Sequence, residues 1–178
     1  MKLTITFFTF LLMILSNSQA QESSAFHQSF AEKWERTKAY TIAVAEAMPM
    51  ENYDEHPAED IMSFREELQH MVNNFTKLQY FVTGEKTCAI ATLPERFEEM
   101  SKEEIIAALD EGFNYVGDLW ANTPEKEMGV KVDFFAKDVN MTKEGIFHLM
   151  RNHVTHHRGR LTLMLRLKGV KPPRYVGW

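Results

Sequence analysis

This chain lacks most of the features that quickly betray a protein's trade. It has a single cysteine, Cys88, so no internal disulfide can staple the fold. Nothing around Cys88 promises a depressed thiol pKa, and it reads as a small buried or loop side chain rather than a nucleophile. There is no cationic excess: 20 Lys and Arg stand against 25 Asp and Glu, a net charge of −5. That balance argues against a nucleic-acid partner, which needs a basic face to neutralise phosphates. No apolar run is long enough to cross a bilayer, since the best one, Ile5 to Leu15, falls short of the ~20 residues required. No internal repeat, low-complexity tract or Gly/Ser linker divides the chain, so one domain is expected. With 44% hydrophobic residues, that domain can build a core without staples.

What the N-terminus does have is Lys2, the apolar run, and then Ser16-Asn17-Ser18-Gln19-Ala20 before charge resumes at Glu22. This describes a secretory signal peptide over residues 1–20, cut after Ala20. No cysteine follows the cut at once, so neither a lipoprotein anchor nor any stable membrane anchor is expected after cleavage. A periplasmic or secreted protein of residues 21–178 follows from that reading.

Helical periodicity dominates the rest. A first helix is expected from about Phe26 to Met48, with Phe30 and Trp34 on its apolar side and Pro49 ending it. Ser63 followed by Glu66 forms a capping box that opens a second helix, whose stripe of Phe64, Leu68, Met71, Val72, Phe75, Leu78 and Val82 runs to Gly84. Ser101 and Glu104 repeat the pattern for a third, carrying Ile105, Leu109, Phe113, Val116 and Trp120 to a stop before Pro124. Thr142 opens a fourth, with Ile146, Phe147, Met150, Val154, Leu161, Met164 and Leu165, ending at Gly169 before Pro172-Pro173. Residues 129–135 alternate like a short strand but show no partner, and are read as an extended connection. The result is an all-α four-helix bundle whose long connections call for at least one crossover. The last residues, Pro172 to Trp178, read by default as a flexible tail, with docking on the bundle or association as the alternatives.

The chemistry-bearing stretch is His153-Val154-Thr155-His156-His157-Arg158-Gly159-Arg160. His153 and His157 lie four residues apart, about 40° on a helical wheel, at the edge of the fourth helix's apolar stripe. That spacing lets one segment offer two imidazoles to one metal ion. It is equally the pattern of two partly buried histidines hydrogen-bonded to a neighbouring helix. His70, on the second helix, is the best source of a third ligand, although it sits about 120° from the midpoint of that helix's stripe and fits solvent exposure as well. Glu66 and Glu67 are nearby carboxylates able to orient a ligand or act as a base. Arg158 suits an anionic substrate group through a bidentate contact, or a structural ion pair.

The H-x3-H-R-G pattern, the segment Ser63-Phe64-Arg65-Glu66-Glu67-Leu68-Gln69-His70, and the closing Leu165-Arg166-Leu167-Lys168-Gly169-Val170-Lys171-Pro172-Pro173 together resemble the DinB/YfiT-like family. The resemblance covers essentially residues 26–175. It implies a four-helix bundle with a divalent metal held by His70, His153 and His157. Nitrogen ligands suit zinc or nickel best. The family pattern continues with Gln after Arg-Gly; here Arg160 takes its place, a change expected to touch a contact behind the ligands. Relatives include metal-dependent thiol transferases and isomerases that use small thiols, and others described as hydrolases. The resemblance therefore implies an exported metal-dependent enzyme, hydrolase or thiol-transferase-like, acting on a small-molecule substrate. The alternative is a non-catalytic metal- or ligand-binding bundle, with a homodimer as its natural assembly.

Overall fold

The computed structural model describes residues 24–176, with the side chains of Ala136 and Lys137 left aside. The leader expected at residues 1–20 lies outside the described residues. Helix α1 spans Ala25–Ala47, α2 Phe64–Thr83, α3 Lys102–Asn122, the short α4 Glu125–Met128, and α5 Lys143–Leu167; Met50–Asn52 and Pro94–Glu99 form 3-10 turns. The boundaries follow from capping chemistry. Ser63 and Ser101 each accept from the backbone N–H of the glutamate three residues on, and that glutamate returns the bond to the cap N–H, satisfying two orphan donors per helix. Thr142 caps α5 through the Gly145 N–H. Gly169, at φ +73°, closes α5 in a Schellman turn, with Val170 N–H bonded to Leu165 C=O at 2.8 Å and Gly169 N–H to Arg166 C=O at 3.0 Å.

Helix α1 packs on α3 and α5, and α2 packs on the same two, so α1 and α2 stand at opposite corners of a four-helix square. Side-chain contacts fix the directions. Trp34 meets Phe113 while Phe30 meets Trp120, so α1 and α3 are antiparallel. His70 meets His153 while Glu67 meets Arg160, so α2 and α5 are antiparallel as well. Phe30 touches His148 while Thr37 and Thr41 touch Arg158, making α1 and α5 parallel. Helices α2 and α3 therefore run the same way, and the chain between them must travel back along the bundle. Its contacts trace that path: Gln69 Nε2 donates to Pro94 C=O at 2.7 Å, and Arg65 Nη1 to Phe97 and Met100 C=O at 2.8 and 2.9 Å. This is the crossover that the connection lengths call for.

Arg65 also forks onto Asp54, at 2.5 and 3.1 Å. One buried guanidinium thus ties both long connections to the start of α2. The interior is aromatic: Trp34, Phe75, Phe113, Trp120, Phe30 and Phe147 are all at most 2% exposed, and stack or meet edge to face with centroids 3.9 to 6.1 Å apart. Buried indole N–H groups find partners, Trp34 on Phe113 C=O at 2.9 Å and Trp120 on His27 C=O at 3.1 Å.

Two expectations require correction. The segment read as a lone extended connection is the first strand of a hairpin. β1 (Lys131–Phe134) pairs antiparallel with β2 (Ala136–Thr142), with a register shift after Asp133. Phe135 turns the chain at φ +53°. The partner is hard to read from periodicity because the successive polar residues Lys137-Asp138 interrupt its alternation, leaving only the short run Asp138 to Thr142. Phe134 and Phe135 pack on Phe81 of α2, at 4.8 and 4.9 Å between centroids. The tail also has a seat, since Tyr175 meets Tyr40 edge to face at 5.3 Å.

Candidate metal centre

The seam between α2 and α5 gathers His70, His153 and His157. Their Nε2 atoms converge: His153 lies 3.1 Å from His70 and 3.1 Å from His157, and three ligand atoms fall within 4.8 Å of one another. Nitrogens sharing one ion at about 2.0–2.1 Å must lie within roughly 4.2 Å of each other, and both 3.1 Å separations meet that limit. His70 reaches the cluster because α2 has two packed sides. Its apolar stripe faces the core, and the side carrying Glu67 and His70 faces α5.

Behind His157 stands Glu67, whose side chain is 0% exposed. One carboxylate oxygen, Oε2, takes the Nδ1–H of His157, and the other accepts from Arg160 Nη1 at 3.1 Å. Burial opposes ionisation of this carboxyl, but the hydrogen bonds from His157 and Arg160 outweigh it and hold its pKa below the usual carboxylate value. Burial first, and then the neighbouring His157, push His153 down to about 4 and His70 down as well. Both rings are thus neutral near pH 7, the form in which histidine binds metal.

Protons alone do not satisfy this arrangement. An ionised Glu67 only accepts, so His157 carries its proton on Nδ1 and presents a bare lone pair at Nε2. If His153 is protonated on Nε2, that hydrogen serves one neighbour and leaves the other 3.1 Å contact unpaired. If it is protonated on Nδ1, that N–H is buried without an acceptor, and two lone pairs face each other at Nε2. Protonating His157 puts two N–H groups on one lone pair. A cation shared by the three nitrogens resolves the convergence, so the donor set fits a divalent metal.

The structure separates the remaining candidates. Glu66 is not beside the cluster: it is the capping residue of α2, accepting from Ser63 N–H at 2.7 Å, with His56 3.6 Å away. Glu67, one residue on, supports His157 instead. Arg158 also points elsewhere. It is 4% exposed, donates to Thr37 C=O and Thr41 Oγ1 at 3.3 Å each, and lies 5.0 Å over the Tyr40 ring. It ties α5 to α1. Arg160, which replaces the resembling family's Gln, is the arginine at the seam. A wheel argument was able to find it, since seven residues from His153 complete two turns, whereas five place Arg158 about 140° away.

Comparison with known proteins agrees with this architecture. The DinB family model matches residues 17–177, and the chain belongs to the DinB family. Among solved structures, it is similar to a DinB-like protein from Bacillus subtilis, with 18% identity, a TM-score of 0.65, and coverage of 83% of this chain and 96% of that one. It is also similar to a DinB-like protein from Bacillus cereus ATCC 10987, with 17% identity, a TM-score of 0.66, and coverage of 83% and 95%. No curated protein matches the sequence. At such identities the structural likeness speaks for the fold alone.

Proposed function

We propose that this protein is an exported metal-dependent enzyme that acts on a small molecule at a three-histidine centre, with zinc or nickel held by His70, His153 and His157. The observation that carries the reading is the convergence of three Nε2 atoms, two separations of 3.1 Å, around a His157 lone pair that Glu67 exposes. Three protein ligands leave coordination positions open, as in catalytic rather than closed structural sites. An ion bound there supplies Lewis-acid chemistry, polarising a carbonyl or acidifying a water or thiol.

The protein's own part is orientation. Glu67 fixes the tautomer and ring plane of His157, the usual role of a carboxylate behind a metal-binding histidine. The α2–α5 seam keeps His153 and His70 neutral. Hydrolysis fits an exported protein better than thiol transfer, which draws on a reducing thiol pool inside the cell.

A specific observation favours the second reading, a non-catalytic metal-binding bundle. Among the described residues the carboxylate against the cluster is Glu67, and it has one oxygen on His157 and the other on Arg160, so it is not a free general base. Elemental analysis of the purified chain beside its His70→Ala, His153→Ala and His157→Ala variants tests the site. About one metal per wild-type chain, lost in each variant, is expected; unchanged metal content in the variants overturns the assignment. Hydrolytic turnover that requires the metal then separates enzyme from binder.

A further inference from the structure

The chain is acidic overall, yet the rim of the histidine cluster is not. Besides the histidines, the charged groups acting on His70 or His153 are Lys77, Arg160 and Glu67. Glu67 is the one acid among them, and it is buried between His157 and Arg160. Other acids of these helices are engaged elsewhere: Glu66 in its cap and near His56, Glu144 near His148. What faces solvent is cationic. The Arg160 side chain keeps 42% of its exposure, and Lys77, farther along α2 on the other side of His70, is exposed. A guanidinium has five N–H donors, and Arg160 spends Nη1 on Glu67. Helix α5 sets Arg160 one turn beyond His157 on the same face.

We infer that Arg160 anchors an anionic group of the ligand, so that the site takes small organic carboxylates whose remainder lies over the three histidines. The substrate class deepens the metal-site reading and rests on it for the chemistry, while the anchor stands on Arg160 itself. A planar fork held from behind by a buried carboxylate is pre-organised for a bidentate carboxylate in front. Arg158 is no competitor, being buried against Thr37, Thr41 and Tyr40.

The test titrates succinate, and its neutral diamide succinamide, into the chain by calorimetry, with and without one equivalent of zinc. Wild type, Arg160→Gln and Lys77→Gln are compared after their metal content and helicity have been measured. Succinate is expected to bind wild type where succinamide does not, at least about tenfold more weakly to Arg160→Gln, and with a smaller loss in Lys77→Gln. Absence of succinate binding to wild type, equal affinity in Arg160→Gln, or equal binding of the diamide overturns the anchor. Arg160-dependent succinate binding in a wild type that takes up no zinc overturns the metal reading and leaves the anchor standing. Should Arg160→Gln lose helicity, Arg160→Lys keeps the charge without the fork; several-fold weaker succinate binding is expected, and unchanged affinity overturns the bidentate contact.

Discussion

Helix α5 carries buried polar side chains on two sides, and they behave differently. Toward α1, Arg158 is 4% exposed, with hydrogen bonds to Thr37 and Thr41 and a ring beneath it. Burial lowers its pKa, countered by Tyr175 and Tyr40, but the cation is held entirely by protein groups. Toward α2, His157 is buried and His153 partly so, yet their nitrogens face one another, and His153 Nδ1 has no partner. A buried polar group whose bonds are complete is structural. One whose contacts cannot all be satisfied by protons marks a place for something else. Satisfaction, rather than burial or charge, distinguishes the two seams.

The sharpest way to break the contrast is to delete a member from each side. His157→Ala is expected to abolish stoichiometric metal, from about one per chain to near zero by elemental analysis, while far-UV circular dichroism stays native because the apolar stripes remain. Arg158→Ala is expected to do the reverse: metal stoichiometry persists under native conditions while stability falls by roughly 1–3 kcal/mol, from lost packing and the acceptors left buried. Urea unfolding of the metal-free proteins reads that loss. Equal metal loss in both variants would erase the distinction between the seams.

Glu67 allows a finer cut. Glu67→Gln keeps an acceptor for His157 but removes the charge, and is expected to weaken metal binding about 10–100-fold with stoichiometry restored at high metal. Competition against a chelator of known affinity measures it. An unchanged affinity would make Glu67 a structural counter-charge to Arg160 and nothing more.

How much of this was legible in the sequence depends on the kind of signal. The four helices were, because capping boxes at Ser63 and Ser101 and glycines at 84 and 169 are local and chemically specific. The crossover was legible only as a length; its path depends on Arg65 reaching Phe97 and Met100 and Gln69 reaching Pro94, contacts no periodicity encodes. The hairpin stayed hidden because β2 is polar and owes its pairing to the turn at Phe135. At the site, the cap that located α2 already committed the Glu66 carboxylate, which leaves Glu67 as the residue to support a ligand. His70 was ambiguous because a helix in a square bundle has two packed sides, and a single hydrophobic stripe reports only one.

The smallest effect is the pH dependence of the metal-free fold. Burial holds His153 at about 4 in the folded chain against 6.5 when free. Between those values the unfolded chain binds more protons than the folded one, so stability falls as pH drops through that window and levels off below it. His153 is only partly buried, and its remaining exposure to solvent moderates the penalty. Urea midpoints of the metal-free chain should therefore decline from pH 7 to pH 4, and His153→Gln should flatten the decline because its amide does not titrate. Near pH 7 the two proteins are then expected to lie closer in metal-free stability than in metal affinity. An undiminished slope in His153→Gln would assign the acid sensitivity to His70 and His148, whose pKa values burial also lowers. The Asp54 carboxyl, by contrast, is lowered by its hydrogen bond to Arg65, and its contribution is lost only below about pH 4. The two kinds of source separate by window: loss above about pH 4 belongs to the buried histidines, and loss below it to carboxylates lowered by hydrogen bonds, Asp54 and Glu67 among them.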